Sequence, residues 1–86
     1  QVGAMENQII IEYCVPCGFE NQARQLAQDL GAMFGAKIGE VTLEPTRLIG
    51  SFEVFYQGEL VFSKKKSGRL PQPGEVEQIL FERLKK

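Results

Sequence analysis

Apolar positions change period several times along this 86-residue chain, and each change marks an element. Residues 8–13, Gln-Ile-Ile-Ile-Glu-Tyr, form a short β-branched block. Such a block predicts a strand buried on both faces near the middle of a sheet. From Phe19 the period becomes helical. Phe19, Ala23, Leu26, Ala27, Leu30, Met33 and Phe34 recur at steps of three and four, opposite Glu20, Arg24, Gln28 and Asp29. Gly31 and Gly35 are the expected stops. Residues 37–43 predict a second strand, with Val41 and Leu43 two apart and Pro45 ending it, because proline cannot donate to a ladder.

Residues 51–56 and 59–63 flank Gln57-Gly58, which predicts a hairpin closed by a two-residue turn. Residues 64–69, Lys-Lys-Lys-Ser-Gly-Arg, read as a basic loop. After Pro71, Pro73 and Gly74 comes a final helix with Val76, Ile79, Leu80 and Leu84 on one side. Glu75 and Glu77 lie early in it, and Arg83, Lys85 and Lys86 late, as the helix dipole favours.

The element order is therefore β-α-β-β-β-α. A helix between the first two strands makes them parallel with a right-handed crossover, and the hairpin adds antiparallel strands. The expected fold class is α/β, in the two-layer α+β sense: a four-stranded mixed sheet of order 2-1-3-4 with both helices on one face. The chain has room for one domain, expected over residues 7–86. Residues 1–5 read as a disordered or expression-derived extension ahead of an initiator Met5.

With 43% hydrophobic and 24% charged residues the composition is that of a globular domain rather than a disordered chain. Ten basic residues against eleven acidic ones leave a net charge of −1, so nucleic acid is not an expected partner. No apolar run approaches the ~20 residues that span a bilayer, and no membrane partner is expected. Without a visible secretory signal, the expected location is cytoplasmic. Histidine is absent, which removes Ser-His-Asp and Cys-His machinery and most metal-ligand sets from a single chain. No resident metal is expected.

What remains is Cys14-Val15-Pro16-Cys17 at the junction of the first strand and first helix. Residues three apart on a first helical turn bring Cα atoms to ~5–6 Å, within disulfide range. The helix N-terminus would favour a thiolate there over a thiol. Pro16 fits a first turn, which needs no N–H from it. The chemistry supported is reversible dithiol–disulfide exchange, in which one thiolate attacks and its neighbour resolves. Competing readings are a packing or inert disulfide pair, a redox-gated binding module without turnover, and a soft-metal carrier holding Cu(I) or Zn between two thiolates.

Several further segments are shared with a known group of proteins: Glu12-Tyr13-Cys14-Val15-Pro16-Cys17, Gly50-Ser51-Phe52-Glu53-Val54, Gly58-Glu59-Leu60-Val61, Phe62-Ser63-Lys64-Lys65, and the helix after Pro73. With these the chain resembles the selenoprotein W-like, or Rdx, family over residues 7–86. The resemblance implies a thioredoxin-like fold with the redox pair on the loop between first strand and first helix. Selenoprotein members carry selenocysteine at the second redox position, here Cys17, so the chain looks like a cysteine-containing member. The thioredoxin likeness would assign first attack to Cys14 and the selenocysteine likeness to Cys17. It also makes Pro45 a candidate counterpart of the cis-proline near thioredoxin-like redox pairs, although most X-Pro bonds are trans.

The expected activity is that of a thiol–disulfide oxidoreductase with Cys14 and Cys17 as the catalytic pair. Tyr13, Val15, Pro16 and Pro45 are its motif or substrate-adjacent residues. No bound cofactor is expected. The substrate is a thiol or disulfide protein or glutathione, with glutathione also a possible reductant or ligand, and the chain is expected to be a monomer or weak homodimer. Tyr13 is otherwise a half-buried strand-end residue. Phe52, Phe55, Tyr56 and Phe62 suit either a hairpin core or a partner-binding sheet face, and the Lys64–Arg69 charges either an acidic partner or a solvated loop.

Overall fold

A computed structural model describes residues 8–84. The expectations for residues 1–5 and for Lys85 and Lys86 lie outside the described residues. The elements are β1 (Ile9–Cys14), α1 (Glu20–Phe34), a 3-10 turn (Gly35–Lys37), β2 (Val41–Thr46), β3 (Phe52–Tyr56), β4 (Glu59–Ser63), α2 (Lys64–Ser67) and α3 (Glu75–Leu84). The sheet order is β2-β1-β3-β4, with β1 and β2 parallel and the other pairs antiparallel, as the crossover and hairpin patterns predict.

Strand alternation decides which side is core. Ile9, Ile11 and Tyr13 of β1 lie opposite Tyr56, Val54 and Phe52 of β3, and all six are buried. They meet Ala23, Leu26, Leu30 and Phe34 of α1 and Val76 and Leu80 of α3 in one cluster. Each fully buried aliphatic or aromatic side chain contributes about 1.5–3 kcal/mol, so this layer carries most of the folding free energy. Phe52, Tyr56 and Phe62 are core, while Phe55 is half-buried on the other face.

Among the described residues, no helix packs on that second face. One row across it holds Thr42, Ile10, Phe55 and Leu60, and the next holds Glu44, Glu12, Glu53 and Ser63. The expectation that β1 is buried on both faces is therefore corrected: Ile10 and Glu12 are only half-buried, because the helices cover one side.

Three other boundaries differ. β2 starts at Val41, with Lys37 in the 3-10 turn, and it runs through Pro45 rather than ending before it. β2 is an edge strand, so a residue without an N–H is tolerated where its nitrogen faces away from β1. Gly31 stays inside α1, and the helix ends at Gly35 with φ 51°. Lys64–Ser67 is a short helix rather than a loop. The Ser63 hydroxyl accepts from the Lys66 N–H, and Gly68 closes the turn in the left-handed region.

The hairpin forms as predicted: Gln57 and Gly58 both have positive φ, 55° and 83°, the signature of a type I′ turn. A bulge inserts Val61 into β4 opposite the Val54–Phe55 step.

Candidate redox site

Cys14 is the last residue of β1, in register with Thr46 at the end of β2. Its N–H donates to the Ser51 carbonyl (2.8 Å), and the Val15 N–H to the Thr46 carbonyl (2.9 Å). The chain then reverses in a turn, the Gly18 N–H donating to the Val15 carbonyl (3.0 Å) with Pro16 as the second residue of four. Proline pre-sets the φ such a position needs. The turn is followed by Phe19, which caps α1 through backbone alone.

The pair therefore does not sit on the first turn of the helix. Cys17 precedes Glu20, the first helical residue, by three positions, and Gly18 (φ 78°) separates turn from helix. The helix dipole then acts on these sulfurs only from outside the first turn, where its influence falls off. Glu20 at that terminus is ion-paired with Arg24 (2.7 Å), and this carboxylate raises the Arg24 pKa, chiefly through the hydrogen bond between them.

The two cysteines are joined as a disulfide with Cα atoms 5.3 Å apart. Their surroundings differ. Cys14 is fully buried, whereas Cys17 is partly exposed. Backbone donors point at both sulfurs: the Cys17 N–H to Cys14 Sγ (3.2 Å) and the Gly50 N–H to Cys17 Sγ (3.1 Å). Gly50 has φ 82°, a conformation that costs any residue with a Cβ. This glycine is what lets the loop before β3 turn its N–H onto the sulfur. Such donors favour a charged sulfur over a neutral one.

Behind the turn, the half-buried Phe19 ring meets Phe52 edge-on at 6.2 Å between centroids, and the Lys64 ammonium lies 5.8 Å from the Phe19 centroid. Ser63, which caps the helix bearing Lys64, also donates its hydroxyl to Glu53 (2.9 Å).

The sequence-derived site divides accordingly. Cys14, Val15, Pro16 and Cys17 come together at one end of the sheet, with Val15 and Pro16 exposed. Tyr13 does not join a substrate surface: it is 6% exposed and faces the helices in step with Ile9 and Ile11, and so belongs to the core. Pro45 is exposed, in register with Tyr13 rather than with a cysteine, and no cis peptide bond occurs among the described residues. It is not a cis-proline counterpart. Sequence reasoning missed Gly50 as a sulfur-binding residue and Leu48 and Ile49 as its exposed neighbours. The visible signal was Gly50 at the head of the Gly-Ser-Phe-Glu-Val stretch.

The Rdx family profile matches residues 8–82. The chain belongs to the Rdx family. Like this Rdx protein, a selenoprotein W-related protein from Vibrio cholerae has the same architecture, with TM-score 0.86 and 29% identity over 92% of this chain and 98% of that one. A Bordetella parapertussis protein superposes with TM-score 0.84 and 32% identity, covering 88% and 95% of the two chains. The fold is thus selenoprotein W-like, an α+β arrangement of the thioredoxin-like kind. Among curated proteins, this Rdx chain is 40% identical over 63 residues to migration and invasion enhancer 1 of Bos taurus, covering 73% of this chain and 52% of that one. The Mus musculus protein of that name is 36% identical over 72 residues, covering 84% and 60%. The chain thus aligns with little more than half the length of these relatives.

Proposed function

We propose that this Rdx protein is a thiol–disulfide oxidoreductase in which Cys17 attacks and Cys14 resolves. The observation that carries the reading is the asymmetry of the pair: Cys17 is partly exposed and its sulfur receives the Gly50 N–H, while Cys14 is fully buried. The Cys17 thiolate attacks one sulfur of a substrate disulfide, whose S–S bond breaks, and the departing thiolate takes a proton from water. The Cys14 thiolate then attacks the Cys17 sulfur, releasing the second substrate thiol. Two electrons have passed to the substrate, and the Cys14–Cys17 disulfide remains. Two equivalents of a monothiol such as glutathione, or one dithiol protein, reduce the pair again and leave as their own disulfide. No bound cofactor takes part, and a reducing compartment such as the cytoplasm suits the cycle.

Single cysteine variants test the order. Cys14→Ser, pre-reduced and mixed with an aromatic disulfide, is expected to stop at a stable mixed disulfide on Cys17, seen as an adduct by intact mass. Cys17→Ser is expected to form no adduct at a comparable rate. The opposite pattern would make Cys14 the attacking thiol. Absence of exchange in the unaltered protein would remove the oxidoreductase reading.

A second reading has one observation in its favour. The hydrogen bond from Gly50 to Cys17 Sγ ties the exposed loop to the redox state of the pair. A binding module gated by that state would show partner affinity that differs between oxidised and reduced protein with no turnover.

A further inference from the structure

Few large apolar side chains are conspicuously exposed among the described residues: Val15 (48%), Met33, Leu48 (60%), Ile49 (74%) and Phe81. Scattered singly, such residues need no explanation. Three of these five are not scattered. Val15 lies inside the cysteine motif, and Leu48 and Ile49 immediately precede the glycine whose N–H touches Cys17 Sγ. The two segments are stitched together: the Val15 N–H donates to the Thr46 carbonyl, and the Leu48 N–H to the Thr46 hydroxyl (3.2 Å). The Ser51 N–H returns to the Leu48 carbonyl (3.1 Å), which fixes the loop that holds both apolar side chains out.

Apolar side chains held in water beside a reactive sulfur mark a surface that is covered when the site is used. Val15 is two residues from Cys17, and Leu48 and Ile49 lead into the glycine bonded to its sulfur, so whatever covers the three side chains lies next to that sulfur. This excludes a bare lipid surface and singles out a disulfide with apolar groups beside it.

We infer that Val15, Leu48 and Ile49 form a recognition rim that selects polypeptide disulfides with aliphatic or aromatic residues next to the cysteine, in preference to small polar disulfides. This rests on the oxidoreductase reading above and names its substrate class. The exchange is the one already balanced: the peptide disulfide gains two electrons and leaves as two thiols, and the protein retains the Cys14–Cys17 disulfide. Glutathione disulfide has no apolar side chain to offer the rim, and so serves as a poor substrate.

The test uses the pre-reduced protein in single-turnover mixing with three disulfides. One is a peptide with leucine on both sides of its cysteine, one the same peptide with serine there, and the third is glutathione disulfide. The leucine peptide is expected to react about tenfold faster than the other two, a difference of ~1.4 kcal/mol in transition-state binding. In the double variant Leu48→Ser, Ile49→Ser the ratio is expected to fall toward one, whereas Met33→Ser, on the exposed surface of α1, should preserve it. Equal rates in the unaltered protein would overturn the inference, as would a preference surviving in the double variant or glutathione disulfide reacting fastest. Exchange with none of the three would instead remove the oxidoreductase reading beneath it. Concentration-dependent dimerisation abolished by the double variant, without any peptide preference, would assign the rim to a second copy and overturn the proposal.

Discussion

Replacing Gly50 by alanine separates two roles that the structure gives this residue. Its φ of 82° penalises any Cβ, yet an added Cβ would meet nothing within 4 Å. The cost is therefore conformational rather than steric, about 1–2 kcal/mol for holding an L-residue in the left-handed region. Gly58 in the hairpin turn supplies the control, with φ 83° and equally open space. Gly50→Ala and Gly58→Ala should lose similar stability in urea, within a total of roughly 5–15 kcal/mol for a domain. Only at position 50 does relaxing that strain also move an N–H that donates to Cys17 Sγ. Losing about 1.4 kcal/mol of a hydrogen bond to a charged sulfur lowers the thiolate-to-thiol ratio about tenfold. The remaining thiolate becomes intrinsically about threefold more nucleophilic, so the net exchange rate at neutral pH falls about threefold.

The assay is the pH profile of Cys17 alkylation by iodoacetamide in a Cys14→Ser background, measured beside urea unfolding. The midpoint should move to higher pH in Gly50→Ala and stay put in Gly58→Ala. If both variants lose stability alike and neither profile moves, the Gly50 N–H does not support the thiolate and the argument for its role fails.

Three further outcomes follow from the packing and charges. Leu80→Ala empties a fully buried position where α3 meets the core and should cost about 2–5 kcal/mol, read from the shift of the urea midpoint at constant slope. Ser63→Ala removes both the cap of α2 and the hydroxyl donated to Glu53, for about 1 kcal/mol, and should speed hydrogen exchange at the Lys66 amide. Glu75 has its carboxyl lowered to about 2, first by the Arg69 guanidinium and then by the Gln72 N–H. Because the folded value lies below the unfolded ~4.3, its contribution is complete well above that value and disappears as pH falls toward about 2. Glu75→Gln should remove about 1 kcal/mol at neutral pH, allowing for solvent screening of a partly exposed pair, and flatten the stability profile below pH ~4.

Periodicity carried the larger part of the fold. The β-branched block, the three-and-four spacing of α1 and the Gln57-Gly58 turn each have one geometry that buries their apolar side, so strand order followed from connection lengths. β2 was displaced because residues 37–40 have no alternation to fix a start, and because proline inside a strand is permitted only at an edge, which a local reading does not know. The α2 turn was overlooked for want of apolar spacing in four residues, although Ser63 and Gly68 bracket it with a cap and a stop. Tyr13 belonged with Ile9 and Ile11 by simple alternation. The cysteine motif was legible as chemistry but not as geometry: Gly18 ends the turn before the helix begins. Gly50 stood out at the head of its stretch but not as a partner of sulfur, since its contact with Cys17 spans 33 positions of sequence.

The placement of Pro45 has a consequence beyond the site. Along β2 alternate residues direct their backbone groups at β1, as the bonds accepted by Glu40 and Thr46 show, so Val41, Leu43 and Pro45 face the free rim. A foreign strand zipping onto that rim would find two amides and then a ring with none, next to the end that carries the sulfurs. The opposite rim is broken by the Val61 bulge. Both rims of this sheet thus deny a neighbouring copy a continuous template for polymerising beside the partly exposed cysteine.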